Sequence, residues 1–84
     1  MIYSYDNYQD WLAAELASKS EFNPQFSGAS FAKWLGFSQA YLSLILNGRR
    51  RLTPKAARKI GERLGLQSEE LKYLEILVLK EKHA

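Results

Sequence analysis

Cysteine is absent from the chain, which excludes a disulfide framework and a cysteine-based zinc site and is compatible with a reducing compartment. Histidine occurs once, at His83 beside the C-terminus, and no nucleophile, base and orienting group recur at a spacing that supports catalysis. The acidic pairs Glu69 with Glu70 and Asp6 with Asp10 fall where helix N-termini are expected, which accounts for them without acid–base chemistry. There is no metal-ligand spacing and no phosphate-cradling glycine loop. An enzyme, a metal site and a cofactor are therefore not expected. The longest wholly apolar run, Ile76 to Leu79, is one helical turn, far below the roughly 20 residues of a membrane span. The opening MIYSYDNYQDWL places acidic residues where a signal peptide needs basic ones. The expectation is a soluble, cytoplasmic protein with no membrane partner.

What the chain does have is 46% hydrophobic residues over 84 positions, enough for one domain spanning residues 1–84 and near the lower limit for an unstapled apolar core. Its net charge of +3 is unevenly spread. Met1 to Ser30 carries −3, Leu66 to Ala84 carries −1, and Phe31 to Gly65 carries +7, with Lys33, Arg49, Arg50, Arg51, Lys55, Arg58, Lys59 and Arg63 against Glu62 alone. A cationic middle between two mildly acidic ends is either a solvated surface or a face for a polyanion.

Helical punctuation sits in that same middle. In SFAKWLGFSQAYLSLILNGRRR, from Ser30 to Arg51, the residues Phe31, Trp34 and Leu35 recur at helical spacing. Gly36 can end that helix in the left-handed conformation, and Ser38 can cap the next. Phe37 and Leu42 are placed as a hydrophobic staple. Two helices around a short glycine-containing turn form a helix-turn-helix, which favours the polyanion over the solvated surface.

Along the rest of the chain, Ser4 is expected to cap a first helix from Tyr5 to Ser18 with Tyr8, Trp11, Leu12 and Leu16 inward, Tyr3 and Tyr5 flanking it. A loop from Lys19 to Phe26 follows. Ser27 caps the second helix, stapled by Phe26 and Phe31, while Ala32 leaves room for a close crossing. The third helix, Ser38 to Leu46, turns Leu42, Ile45 and Leu46 inward and Gln39, Ala40, Ser43 and Leu44 outward, and ends at Asn47 and Gly48. Thr53 and Pro54 start a fourth helix that runs to Leu64. It buries Ala57, Ile60 and Leu64 and sends Lys55, Lys59 and Arg63 to solvent. Ser68 caps a fifth helix over 68–82, with Glu69 and Glu70 at its positive end and Lys80 and Lys82 at its negative end. Leu71, Leu74, Leu77 and Val78, with Tyr73, Ile76 and Leu79 beside them, give it an apolar face wider than one core requires.

The run FAKWLGFSQAYLSLILNGRRRLTP and the following AARKIGERLGL resemble the helix-turn-helix domains of phage repressors and Cro proteins, the xenobiotic-response-element type. The shared residues are Ala32, Leu35 and Gly36, Ser38 and Gln39, Leu42 and Ser43, Asn47 and Gly48, the basic residues after them, and Leu64 to Leu66. The likeness covers residues 27–66. A closer likeness is to the N-terminal part of longer bacterial transcriptional regulators, which implies that a further C-terminal domain can follow. The resemblance implies an all-α, five-helix, lambda-repressor-like domain that binds double-stranded DNA with its third helix in the major groove.

Carried over by position, Ser38 would hold a phosphate and Gln39 would read a base, its planar amide matching adenine. Ala40 and Tyr41 would meet a thymine methyl or the sugar-phosphate edge, and Ser43 would add a polar contact. Arg49, Arg50, Arg51 and Lys55 would grip the backbone. Departures from the family lie at Leu44 and Leu46, apolar where polar residues are usual, at Gly28, where a phosphate-holding side chain is common, and at Trp34, where a charged residue is common. Leu44 and Trp34 are expected to pack against another part of the protein. The rival to DNA binding is a protein-interaction module of the same fold, or an antitoxin-type regulator, using the apolar third and fifth helices. Dimerisation through the C-terminal helix suits either reading.

Overall fold

Helix starts along this chain are set by side chains that accept from orphan backbone amides. The computed structural model describes residues 1–81, and Lys82 and His83 lie outside them. After a 3₁₀ turn at Ile2–Ser4, five helices follow: α1 (Tyr8–Phe22), α2 (Gly28–Leu35), α3 (Gln39–Leu46), α4 (Pro54–Arg63) and α5 (Ser68–Lys80), with no strand among the described residues. Ser27 accepts from Ser30 N–H at 3.2 Å, Ser38 from Tyr41 N–H at 3.1 Å, and Thr53 from Ala56 N–H at 3.1 Å. The three central helices thus begin where local chemistry puts them.

The ends of the chain differ from expectation. The first helix is capped by Asn7, whose Oδ1 accepts from Asp10 N–H at 2.8 Å, and Ser4 instead closes the 3₁₀ turn. Burial decides this. The turn carries Ile2 into the core at 1% exposure, and Tyr5 then runs extended so that α1 can present Tyr8, Trp11 and Leu12 inward. At its far end α1 continues past Ser18 to Phe22 and stops at Asn23, which the following Pro24 holds in an extended conformation. The expected loop from Lys19 shrinks accordingly, and Ser20 Oγ donates to Phe26 O across it at 2.9 Å. The cap of α5 is Gln67 rather than Ser68: the Glu70 carboxylate reaches back to accept from the Gln67 N–H at 2.8 Å.

One apolar core joins all the elements. Trp11, Leu12, Phe31, Leu35, Ile45, Ile60 and Leu74 are almost wholly buried in it, and no charged side chain among the described residues is. Ala32 is fully buried where α2 meets α3, its small side chain allowing the close crossing. The pairing of α4 with α5 is tighter still. A Cβ at Gly61 would lie 2.5 Å from Leu71 Cδ2 and 3.2 Å from Leu66 Cδ1 and Leu74 Cδ2, so glycine is what lets α5 approach. On another face of α5, Tyr73 meets Tyr3 edge-on at 5.1 Å and donates its hydroxyl to Tyr5 O at 2.7 Å. Tyr3 and Tyr5 therefore flank α5 as well as α1.

Candidate nucleic-acid interface

Between α2 and α3 the chain turns through Gly36, which takes φ +91°, a conformation that other residues adopt only with strain. The turn sets the two helices so that α2 buries Phe31, Ala32 and Leu35 and α3 buries Leu42 and Ile45. The opposite side of α3 is left to solvent. Gln39, Ala40, Ser43 and Leu44 all stand exposed there, and Asn47, at the helix end, reaches toward Ser43 at 3.5 Å. A shallow cavity of about 180 Å³ runs beneath them, lined by Gln39, Leu42, Ser43, Leu46, Asn47 and, from the start of α2, Gly28. Gly28 thus borders the polar side of α3, where a missing side chain leaves room.

Ser38 is exposed, and its hydroxyl already accepts from the Tyr41 amide as the α3 cap. Its O–H remains able to donate. Tyr41 is half-buried and stacks on Phe37 at 5.1 Å with 20° between the planes. The expected staple of Phe37 on Leu42 is in this respect an aromatic pair on the helix flank.

Of the expected backbone-gripping residues, Arg49, Arg50 and Lys55 are exposed. The Arg50 guanidinium lies 5.1 Å from the centre of the Tyr41 ring, which brings it to the start of α3. Arg51 is drawn away: half-buried, it donates to Glu81 O at the end of α5 at 2.8 Å. That contact belongs to a cluster in which the Glu81 carboxylate accepts from Tyr8 Oη and Gln9 Nε2, while Tyr8 Oη accepts from the Leu52 N–H at 3.0 Å. Burial, with the bond to Glu81 next in weight, pushes the Tyr8 phenol up to about 12. The cluster fixes the segment that follows the exposed arginines.

Trp34 is half-buried and packs against the protein's own core, as expected. It lies 6.4 Å from the Phe31 ring centre, with the Lys19 ammonium at 4.5 Å and the Arg63 guanidinium at 5.1 Å from its own. Arg63 Nε also donates to Trp34 O at 2.8 Å, so Arg63, exposed as expected, leans back along the surface of α2. Leu44 does not pack in this way and remains 37% exposed.

The positive charge on this side is little neutralised from within. Among the described residues the one ion pair joins Arg58 to Glu62 at 3.5 Å, both side chains well exposed. Lys33, Arg49, Arg50, Arg51, Lys55, Lys59 and Arg63 have no carboxylate partner there. No group of histidines or carboxylates among those residues is arranged to hold a metal, and no helix is long and apolar enough to cross a membrane.

The flank of this surface carries a contact that spans the turn from α4. Lys59 is exposed, as its outward place on α4 predicts, and its ammonium crosses the turn to lie 5.1 Å from the Phe37 ring centre. The only local trace of this is Gly36, which leaves space for it. No curated protein and no solved structure matches the chain. The sequence does match a family model described as a helix-turn-helix domain over residues 11–74, from Trp11 in α1 to Leu74 in α5. With that match covering well over half of its length, the chain belongs to the helix-turn-helix domain family.

Proposed function

We propose that this chain binds double-stranded DNA in a sequence-dependent manner as a transcriptional regulator, or as the N-terminal domain of one, of the phage repressor and Cro type. The observation that carries the reading is the exposed start of α3, where Gln39 and Ser43 are open to solvent and Arg50, over Tyr41, has no carboxylate partner among the described residues. In this reading Gln39 is the principal base reader. Ser38 donates to a phosphate while keeping its cap, and Arg49, Arg50 and Lys55 grip the backbone. Ala40, Tyr41 and Ser43 complete the groove contacts. Arg51 contributes mostly by holding the arginine loop against Glu81. The apolar Leu44 narrows the scope for direct base reading, and DNA shape supplies part of the specificity.

A second reading is favoured by the exposed apolar residues. Ile76 is 57% and Leu79 65% exposed on α5, spaced three apart and so on one face. A second copy of the chain or a following C-terminal domain would cover them, and a dimer would set two α3 helices on paired half-sites. Selection of bound sequences from a random double-stranded pool at physiological salt tests both readings. An enriched palindrome supports DNA recognition by a dimer. Recovery of unenriched DNA overturns sequence-specific binding and leaves the interaction module.

A further inference from the structure

Two cations are built onto the aromatic pair that flanks α3, one to each ring. Arg50 lies 5.1 Å from the Tyr41 centre, and the Lys59 ammonium, from the middle of α4, lies 5.1 Å from the Phe37 centre. A second measurement places Lys59 independently: a Cβ on Gly36 would stand 3.0 Å from both its Cε and its Nζ. The lysine therefore lies across the turn between α2 and α3. It is exposed, yet its end stays over the turn and the ring. Arg63, one helical turn further along α4, provides the contrast. It uses a donor on Trp34 O and its face on the Trp34 ring, so its role in packing is visible. Lys59 donates to no protein acceptor among the described residues, and its three N–H groups remain available.

Long cationic side chains ordinarily lose much rotamer freedom when they bind, and holding them over ring faces removes part of that cost beforehand. The geometry points to Lys59 as a contact for a DNA backbone phosphate, acting with Arg50 from the two ends of the Phe37–Tyr41 pair. The interface then runs along α4 from Lys55 in its first turn to Lys59 in its middle. The contact carries no sequence information; it fixes how α3 is presented to the groove. This inference rests on the DNA-binding reading above, and its failure can be told apart from that of the reading.

The test is the salt dependence of binding to a labelled DNA duplex of mixed sequence, followed by fluorescence anisotropy, with a thermal melt of each variant. In the wild type, log K falls linearly with log salt. Lys59→Gln flattens the slope by about 0.9, the value for one neutralised phosphate, as does Arg50→Gln, and Lys59→Arg restores it. Arg63→Gln lowers the melting temperature and leaves the slope unchanged. A wild-type protein with no salt-dependent binding overturns the DNA reading and this inference with it. A steep wild-type slope that Lys59→Gln preserves overturns the inference alone.

Discussion

Replacing Tyr8 by phenylalanine removes one oxygen and keeps the buried ring, so its effect isolates the hydrogen bonds that join the first helix to the last. Tyr8 is 1% exposed, and its hydroxyl donates to Glu81 while accepting from the buried Leu52 amide. Without it the Leu52 N–H has no acceptor, at a cost of about 1–3 kcal/mol, and a bond to a charged carboxylate is lost, worth about 1.5–3 kcal/mol. Glu81 is only half-buried and keeps Gln9, which puts the second contribution at its lower end. A total near 3 kcal/mol is a large share of the roughly 4–12 kcal/mol expected of a domain this size. For such a domain each kcal/mol moves the melting temperature by about 4–8 °C, so Tyr8→Phe should melt on the order of 15 °C below the wild type. Glu81→Gln, which leaves an acceptor for the phenol and does not orphan Leu52, should cost about 1 kcal/mol. Thermal and urea unfolding followed by far-ultraviolet circular dichroism measures both. A Tyr8→Phe protein melting within about 3 °C of wild type would refute the claim that this hydroxyl is structural.

The same phenol gives a pH signature. Its folded pKa, about 12, lies above the ordinary value of 10.0, so the proton stabilises the fold fully below pH 10 and that contribution is lost as pH rises toward 12; Tyr8→Phe should lack this alkaline component in melts across that window. Ser38→Ala should cost about 1 kcal/mol through the lost cap, whereas Ser38→Asp keeps the cap and melts near wild type yet binds DNA weakly, because its charge meets the phosphate. Gly61→Ala should gain about 1 kcal/mol of helix propensity and lose about 1–3 kcal/mol to crowding against Leu71, Leu66 and Leu74, and a lower urea midpoint would record the net loss. Gln39→Ala should relax selection at one base position by about 1–3 kcal/mol while leaving the salt slope unchanged, which repeated selection with the variant would show.

Features that could be read directly from the sequence are those whose cause lies within a few residues. Ser27, Ser38 and Thr53 reach amides three positions on, and Pro54 and Gly36 act through their own backbone, so the helix-turn-helix and its neighbours were legible residue by residue. Ser4 misled because its capping chemistry was sound while the burial of Ile2 by α5 was out of sight. The Tyr8 hydroxyl bonds across 73 residues and Arg51 across 30, and no local pattern foreshadows either. The candidate site divides along the same line. The outward position of Gln39, Ala40 and Ser43 follows from helical periodicity and their suggested role from the family resemblance, whereas the placement of Arg50 on Tyr41 and of Lys59 on Phe37 requires the packed structure.

Tyr3 against Tyr73, Tyr73 to the Tyr5 carbonyl, and Tyr8 to Glu81 bring residues from the two ends of the chain side by side. The first and last helices are thus sewn together, and the segment after α3 joins the same seam through Arg51 and Leu52. A linker from the end of α5 to Met1, with a new opening at the exposed Asn23–Pro24–Gln25 loop, should give a permuted chain that folds with the same α3 surface. Trimming residues from the front is the opposite case: Met1 is 83% exposed but Ile2 is a core residue, so the domain can be extended at that end and not shortened.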